Sequence, residues 1–412
     1  MTTTDRIVII GASLTGAMAA AGVREVDADI EVLLLGEEDE APYERPELSK
    51  GFLLGQKQLD ELRVHPDAWY SEHAVTVRTS TTVVGLDPGA HEVVLGDGER
   101  IGYRAALLAT GARPRRLGVP GADLDGVAYL RTAADAQALR SAIASGTRVL
   151  VVGAGWIGLE VAAVARQLGA LVTVVDPAPT PLHATLGAEL GEVYAGLHRE
   201  HGVDLRLRTG LGELTGSAGR VSGAVLTDGA SVPADLVVVG IGALPADELA
   251  RSAGVDIDHG VLTDEHLRTG APDVYAAGDV ARTYNPWVGE RVRVEHWANA
   301  RNQGRVAGRV MAGADESYAK VPYFYSDQYD LGMEYNGHVP PGALTRVVFR
   351  GDSDGREFLA FWIDPSDRVL AGMNANIWDA GDDIKTLVQA RAMVDLVRLA
   401  DSEVALADAR RD

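Results

Sequence analysis

Cysteine does not occur anywhere in the 412-residue chain. Its absence excludes disulfide bonds, thiolate metal sites and a redox-active thiol pair. Cationic side chains are also scarce, since 38 lysines and arginines stand against 59 aspartates and glutamates, which gives a formal net charge of −21. A nucleic-acid partner is therefore not expected, because phosphate backbones need a cationic face.

Long apolar stretches are missing as well, and none approaches the roughly 20 residues that a helix needs to cross a bilayer. The acidic C-terminal tail lacks the basic face of a membrane-surface helix. Residues 1–6 show no charged region followed by an apolar core, so no export signal is expected. The ten histidines show no ligand spacing such as H-x-x-x-H. We therefore predict a cytoplasmic protein without a membrane segment or a metal site.

The chain contains the same strand–turn–helix–strand pattern twice. Apolar runs at Ile7–Ile10 and Ile30–Leu35 flank one glycine turn, and runs at Arg148–Val152 and Leu171–Val175 flank another. This arrangement begins a doubly wound parallel sheet. Because 412 residues exceed one ordinary core, we predict an α/β protein with two Rossmann-like nucleotide-binding units.

Each unit contains a further apolar strand that ends at a glycine. Ala105–Gly111 has this role in the first unit and Leu236–Gly242 in the second, and Asp273–Val280 repeats the pattern. We interpret these three segments as further strands of the two parallel sheets.

From about Lys320 the residue pattern changes. Alternating, aromatic-rich segments at Phe358–Ile363 and Val369–Met373 predict antiparallel strands, and an amphipathic helix is predicted near Ile384–Leu399. We predict a separate C-terminal α+β domain.

The second glycine turn, Gly153–Gly158, reads G-A-G-W-I-G. Its first glycine makes the tight turn, its second lets the backbone approach a pyrophosphate, and its third packs the helix on the strand. Asp176 lies at the end of the next predicted strand, where an acid accepts hydrogen bonds from a ribose 2′-hydroxyl and repels a 2′-phosphate. The turn therefore favours NADH over NADPH, and a glycine turn without a ligand is the alternative.

The first glycine turn, Gly11–Gly16, reads G-A-S-L-T-G, with Ser13 in place of the second glycine. A small side chain still permits close approach, and its hydroxyl can donate to phosphate. Glu37 would supply the ribose acid. The alternative is a purely structural turn.

Two further segments carry charged side chains that suit the binding of a cofactor. Arg45 and Lys50 lie in P-Y-E-R-P-E-L-S-K and suit a dinucleotide's phosphates, although a solvated loop is equally consistent with this composition. Asp279 follows a predicted strand and precedes a predicted helical stretch, so it can cap the helix or bind the polyol chain of a cofactor.

Together these segments resemble the FAD-dependent pyridine-nucleotide reductases that serve small electron carriers, a family that includes putidaredoxin, rubredoxin and dioxygenase ferredoxin reductases. The resemblance covers Arg6 to about Ala409. It rests on P-Y-E-R-P-E-L-S-K, L-L-A-T-G-A-R-P-R, Y-L-R-T, V-Y-A-A-G-D-V-A, E-H-W-A-N-A and P-Y-F-Y-S-D-Q.

The resemblance implies domains and site residues. It implies a discontinuous FAD-binding domain at 1–112 and 237–318, an NAD-binding domain at 113–236 and the C-terminal domain at 319–412. The residues expected to bind FAD are Gly11, Ser13, Leu14, Thr15, Gly16, Glu37, Arg45, Lys50, Val83, Ala109, Arg131, Asp279 and Trp297. Those expected to bind NAD are Gly153, Gly155, Trp156, Ile157, Gly158, Glu160, Asp176 and Gly242.

Lys50 and Glu160 are the residues with an implied catalytic role. By the resemblance, Lys50 lies near flavin N5 and Glu160 lies where the nicotinamide stacks. The chain departs from the family pattern at Ser13, Glu47, Thr180, Ala246 and Tyr325.

The function implied is NADH-dependent reduction of a [2Fe–2S] ferredoxin that feeds a monooxygenase or dioxygenase. The carrier is expected to approach near Tyr325 and Trp297, and the protein to be a monomer or weak homodimer. An NADH oxidase or quinone reductase, or a redox-signalling flavoprotein of the apoptosis-inducing-factor type, is the alternative.

One helical face offers cations to such a carrier. Arg301, Arg305 and Arg309 recur at a spacing that places them on one side of a helix. They can dock an acidic ferredoxin or pair with the protein's own carboxylates.

Overall fold

A computed structural model describes residues 5–411 of the chain. Residues 1–4, which belong to the segment without a predicted export signal, lie outside the described residues, as does Asp412. Among the residues that are described, none of the helices combines the length and the apolarity needed to cross a membrane.

The strands, in chain order, are β1 (Arg6–Ile10), β2 (Glu31–Leu35), β3 (Val75–Arg78), β4 (Val83–Asp87), β5 (Glu92–Leu95), β6 (Arg100–Gly102), β7 (Ala105–Leu108), β8 (Ala112–Pro114), β9 (Val127–Tyr129), β10 (Arg148–Val152), β11 (Leu171–Asp176), β12 (Asp204–Leu207), β13 (Leu211–Ser217), β14 (Arg220–Leu226), β15 (Ser231–Pro233), β16 (Leu236–Val239), β17 (Ala243–Pro245), β18 (Val261–Thr263), β19 (Val274–Ala276), β20 (Ala281–Asn285), β21 (Glu290–Val292), β22 (Tyr323–Gln328), β23 (Leu331–Gly337), β24 (Arg346–Asp352), β25 (Glu357–Ile363) and β26 (Val369–Ala375). The α-helices are α1 (Leu14–Arg24), α2 (Gly51–Leu54), α3 (Asp67–Glu72), α4 (Ala133–Ala142), α5 (Trp156–Gln167), α6 (His183–Leu186), α7 (Ala188–Glu200), α8 (Glu248–Ser252), α9 (Trp297–Met311), α10 (Gly381–Gln389) and α11 (Leu396–Ala400).

The chain divides into two compact units. The first comprises the described part of Met1–Glu44 together with Leu59–Arg113 and Leu244–Phe324. The second comprises Arg45–Gln58, Pro114–Ala243 and the described part of Tyr325–Asp412. The domain boundaries at 112, 236 and 318 stay predictions.

A five-stranded parallel sheet, in the order β19-β7-β1-β2-β3, forms the centre of the first unit. Ile7 and Ile9 of β1 face one apolar core, and Val8 and Ile10 face another. Because both faces of the sheet are buried, its strands are continuous apolar runs rather than alternating ones. The order brings the carboxyl ends of β1 and β2 to one edge of the sheet.

The second unit repeats this arrangement. Its parallel sheet has the order β12-β11-β10-β16-β9. In each sheet the strand before the glycine turn lies between the closing strand and the next strand of the βαβ unit. The predicted fold class, with two Rossmann-like sheets, is confirmed.

The C-terminal segment adds a five-stranded sheet in the order β22-β23-β26-β25-β24, and β23, β26, β25 and β24 pair antiparallel. The predicted strands correspond to β25 and β26, but the single helix predicted near Ile384–Leu399 is wrong. Helix α10 ends at Gln389, Arg391 adopts a positive φ of 45°, and Asp395 accepts hydrogen bonds from the N–H groups of Val397 and Arg398 at the start of α11. An aspartate N-cap starts a new helix there, which apolar periodicity does not register.

Candidate functional site

The glycine turn of the first unit lies above the carboxyl ends of β1 and β7. Gly11 has a φ of +122°, and a Cβ built on it would lie 2.1 Å from the carbonyl oxygen of Ala109. Its N–H donates to the Leu35 carbonyl at 2.8 Å. Only glycine fits a backbone that turns this tightly against its neighbour. The turn therefore presents the N-terminus of α1 at the edge of the sheet.

Ser13 is the N-cap residue of α1, and its conformation explains why serine is tolerated where the family pattern has glycine. Its φ of −128° is an extended conformation that any residue adopts, and its side chain makes no capping hydrogen bond. The hydroxyl is therefore available to a ligand at the helix N-terminus, where backbone N–H groups and the helix dipole favour an anion.

Other predicted residues of the first unit lie around this turn. Glu37 is exposed and follows β2 at the same sheet edge. Thr15 is buried and lies against Gly278, since a Cβ built on Gly278 would collide with the Thr15 hydroxyl. Asp279 is the next residue along the chain. The remaining predicted residues of this unit are Leu14 and Gly16 in α1, Val83 at the start of β4, Ala109 after β7 and Trp297 at the start of α9.

The helical stretch predicted after Asp279 is wrong. Gly278–Val280 forms a single 3₁₀ turn, and the chain continues as β20. Alternate residues of β20 are buried while the strand pairs with β18 and β21. No α-helix follows for Asp279 to cap.

The glycine turn of the second unit has a similar geometry. Gly153 has a φ of +104°, and a Cβ on it would lie 2.4 Å from the Gly240 carbonyl oxygen. Gly155, the N-cap residue of α5, differs because its φ is −82° and the nearest atom to a built Cβ is 3.9 Å away. The protein itself therefore does not require glycine at position 155, and the space beside it suits a group that approaches the backbone.

Asp176 ends β11 directly beside this turn. One carboxylate oxygen accepts the Ala154 N–H at 2.7 Å, and the other accepts the Ala178 N–H at 2.7 Å. Each oxygen keeps a second acceptor position, so the carboxylate can also bind ribose hydroxyls.

The surroundings of the second turn are open. Trp156 packs edge-on against Tyr194, with ring centroids 5.9 Å apart. Ile157 is exposed. Gly242 has a φ of +96°, and among the described residues no atom beyond its two chain neighbours lies within 4 Å of a built Cβ. The surroundings of the glycine turn are therefore exposed at Ile157 and uncrowded at Gly242.

Lys50 and Glu160 form an ion pair in the second unit. The ammonium lies 2.8 Å from Oε1 of Glu160, and both side chains are largely buried. Ser326 donates to the same oxygen at 2.7 Å, and Ser49 donates to Oε2. The lysine nitrogen also lies 5.7 Å from the ring centroid of Tyr325. A buried carboxylate thus holds three donors, one of them cationic.

Arg45 and Arg131 also meet within the second unit. The Arg45 guanidinium donates to the Arg131 carbonyl at 2.5 Å. Arg131 directly precedes Thr132, whose hydroxyl and Asp135 form a capping box at the start of α4. The Arg131 backbone is therefore held by a well-defined helix start.

Two groups near the predicted site have shifted pKa values. Burial lowers the pKa of His296 to about 4, and its ring stacks on Phe324 at 4.5 Å between centroids. Burial raises the pKa of the Asp327 carboxyl, and the nearby ammonium of Lys50 opposes that shift.

The cationic face of α9 is largely paired within the first unit. Arg305 contacts Glu25 at 2.6 Å, and Arg309 contacts Glu25 at 2.9 Å and Glu316 at 2.6 Å. The Arg301 guanidinium lies 5.1 Å from the Trp297 ring centroid. For Arg305 and Arg309, pairing with the protein's own carboxylates is the interpretation that the structure bears out.

Other departures from the family pattern have structural partners. Glu47 pairs with Lys57 at 2.8 Å. Thr180 is buried, with its hydroxyl 3.1 Å from Nδ1 of His183, and Ala246 is buried.

Sequence reasoning missed the side chains that hold Glu160. Ser49 and Ser326 lie inside segments that carried the family resemblance, P-Y-E-R-P-E-L-S-K and P-Y-F-Y-S-D-Q, but no local feature pointed to their partner. His198 and Gln328 extend this network. Gln328 lies in the second of these segments, whereas no sequence feature pointed to His198.

Comparison with known proteins covers nearly the whole chain. A family model described as pyridine nucleotide-disulphide oxidoreductase matches residues 5–304, and one described as reductase C-terminal matches residues 323–410. The anthranilate 1,2-dioxygenase system ferredoxin–NAD(+) reductase component of Burkholderia cepacia is 41% identical over 98% of this chain and 98% of that protein.

Two solved structures are similar over the same extent. The reductase of the covalent putidaredoxin reductase–putidaredoxin complex matches with a TM-score of 0.94 and 33% identity, over 98% of this chain and 97% of that one. The ferredoxin reductase of the CYP199A2 system from Rhodopseudomonas palustris matches with a TM-score of 0.94 and 32% identity, over 99% of this chain and all (100%) of that one.

Proposed function

Because the chain belongs to the pyridine nucleotide-disulphide oxidoreductase family, we propose that it works as an NADH-dependent ferredoxin reductase with FAD as its cofactor. The observation that carries this proposal is the presence of one dinucleotide turn in each unit of a chain without cysteine. Two turns accommodate two dinucleotides, and the lack of a thiol excludes a sulfur relay between them and the acceptor. The family resemblance predicted from the sequence is confirmed.

The first unit contains groups that would suit FAD. The open N-terminus of α1 and the uncommitted Ser13 hydroxyl would hold the pyrophosphate. Glu37, at the edge of β2, would accept the ribose hydroxyls, and Asp279 would bind the ribityl chain. When bound, FAD supplies the conversion of a two-electron hydride donor into single electrons.

The second unit would hold NADH. The space beside Gly155 and the N-terminus of α5 suit its pyrophosphate, and Asp176 would accept the 2′-hydroxyl of the adenosine ribose. A 2′-phosphate would place negative charge against that carboxylate, so NADPH should be a poor donor.

Lys50 and Glu160 would orient the reacting groups. We assign Glu160 to the nicotinamide and Lys50 to the flavin edge, where its ammonium would favour a negatively charged reduced ring. Neither residue forms a covalent bond in this scheme. Their contribution is the alignment of donor and acceptor and the electrostatics around them.

The proposed partner is a [2Fe–2S] ferredoxin that supplies an oxygenase, and the proposed oligomeric state is a monomer or weak homodimer. The relative from Burkholderia cepacia is named for an anthranilate dioxygenase system, which supports an oxygenase as the final acceptor. We also propose a cytoplasmic location, which cell fractionation would test.

The experiment that tests this function is NADH-dependent reduction of cytochrome c by the purified FAD-loaded protein, with and without an added [2Fe–2S] ferredoxin. We expect strong stimulation by the ferredoxin and little activity with NADPH. FAD that is reduced by NADH without stimulation by any of several ferredoxins would refute the reductase assignment and favour an oxidase or a signalling flavoprotein.

A further inference from the structure

A line of buried side chains leads away from the carboxylate of Glu160 inside the second unit. Ser326 and Gln328 lie on β22, and His198 lies on α7. The exposed fractions are 4% for Glu160, 2% for Ser326, 1% for Gln328 and 0% for His198. We call Ser326, Gln328 and His198 the Glu160 relay. Polar groups this deep are costly unless each finds a partner.

The hydrogen bonds of the relay all run toward the carboxylate. Nε2–H of His198 donates to Oε1 of Gln328 at 2.8 Å, because an amide oxygen can only accept. Nε2 of Gln328 then donates to the Ser326 hydroxyl at 3.3 Å, and that hydroxyl donates to Oε1 of Glu160 at 2.7 Å. Each donor polarises the next, so the chain strengthens the last bond to Glu160.

His198 forms a fixed end of this line. Burial lowers its pKa to about 4, so the ring is neutral at neutral pH and carries its proton on Nε2. Its ring packs edge-on against Tyr329 at 5.3 Å between centroids, and Tyr329 in turn stacks on His201 at 3.7 Å. The orientation of the imidazole is therefore set by packing as well as by its hydrogen bond.

The relay gives Glu160 partners that do not depend on Lys50. Lys50 and Ser326 share Oε1, and Ser49 donates to Oε2. If the ammonium moves away, the carboxylate still accepts two hydroxyl hydrogen bonds in a buried place. Without them, the carboxylate would be a buried charge with Lys50 as its only partner, and neither group could move without a large cost.

We propose that Ser326, Gln328 and His198 are positioning residues that hold the Glu160 carboxylate in place, so that Lys50 can exchange between it and the reduced flavin during turnover. This inference rests on the roles proposed above for Lys50 and Glu160. A purely structural role for the relay would affect stability but not the step in which NADH reduces the flavin.

The first test is single-turnover reduction of the FAD-loaded protein by NADH, followed by stopped-flow absorbance. We expect Ser326→Ala to slow the limiting rate roughly tenfold, in line with loss of a hydrogen bond to a buried charge, and to weaken the nicotinamide–flavin charge-transfer band. Ser326→Thr retains the hydroxyl and should restore both. Tyr329→Phe is the matched control, because it removes a buried hydroxyl that has no hydrogen-bond partner within residues 5–411, and it should behave as the unaltered protein.

The second test does not depend on turnover, and it alters Glu160 rather than the relay; His198→Gln serves only to assign the signal. In protein labelled with nitrogen-15 at histidine, the Nε2–H signal of His198, assigned through His198→Gln, should shift on Glu160→Gln, while the histidine signals remote from Glu160 stay in place. An unchanged His198 signal would overturn the relay, even if Ser326→Ala failed to fold.

The outcomes separate the two proposals. If Glu160→Gln itself leaves flavin reduction at the normal rate, the role proposed for Glu160 is wrong. If Glu160→Gln slows reduction but Ser326→Ala matches Tyr329→Phe, only the positioning relay is refuted. Slow reduction in Ser326→Ala with recovery in Ser326→Thr would support it.

Discussion

Gly153 and Gly155 are two residues apart in one glycine turn, but the structure predicts opposite consequences for replacing them with alanine. At Gly155 the φ of −82° is ordinary for alanine, and the nearest atom to the new Cβ would be 3.9 Å away. At Gly153 the φ is +104° and the Cβ would be 2.4 Å from the Gly240 carbonyl oxygen. One position serves the fold, and the other leaves space for a ligand.

The magnitudes follow from these geometries. Gly155→Ala should leave the free energy of unfolding unchanged or raise it by up to about 1 kcal/mol, because alanine restricts the unfolded chain. Gly153→Ala should lower it by about 2 kcal/mol or more, since it combines a strained φ with a steric clash. NADH binding should rank the two variants the other way round. In Gly155→Ala the added methyl group would occupy the place where the backbone approaches the pyrophosphate. We expect the KM for NADH of Gly155→Ala to rise roughly tenfold or more, equivalent to about 1.4 kcal/mol.

Two measurements check this reasoning. Thermal unfolding of the proteins without nucleotide gives the stability, and steady-state kinetics with NADH and an artificial acceptor give KM and kcat. Normal NADH binding by Gly155→Ala, or a loss of stability as large as that of Gly153→Ala, would show that position 155 does not leave space for the nucleotide.

Three further predictions concern charged and titratable side chains. Asp176→Asn should lower kcat/KM for NADH roughly tenfold or more, because an amide cannot accept from both the Ala154 and the Ala178 N–H and loses a hydrogen bond of about 1.5–3 kcal/mol. The ratio of kcat/KM for NADH to kcat/KM for NADPH should become smaller. An equal decrease of kcat/KM with both nucleotides would contradict the assignment of Asp176. Lys50→Met should lower the free energy of unfolding by roughly 3 kcal/mol, as measured by denaturant titration, because Glu160 loses its cationic partner in a buried site, whereas Lys50→Arg should recover most of it. His198 has a folded-state pKa of about 4, below its unfolded value, so the unfolded chain binds the additional proton between about pH 6.5 and pH 4. The free energy of unfolding should therefore fall as the pH is lowered through that window, and it should fall less in His198→Gln. If the free energy of unfolding depends on pH in the same way in both proteins, His198 is not the cause.

Much of the fold was readable because its signals are local. A continuous apolar run such as Ile7–Ile10, followed at once by a glycine turn, reports a strand buried on both faces without any knowledge of its neighbours. The spacing from Gly153 to Asp176 likewise follows from the length of one helix and one strand. The helix predicted near Ile384–Leu399 was wrong because apolar periodicity does not register where a capping aspartate starts a second helix.

The two glycine turns, the family and the lack of thiol chemistry follow from the amino-acid sequence alone, because each depends on residue identity at short range. The surroundings of Glu160, in contrast, depend on the tertiary fold. Ser326 is 166 positions away from it along the chain, and His198 and Gln328 are separated by 130. The pairing of Arg309 with Glu25 bridges 284 positions. Such contacts arise when elements distant along the chain pack together, and burial then makes each unpaired polar group too costly to leave without a partner.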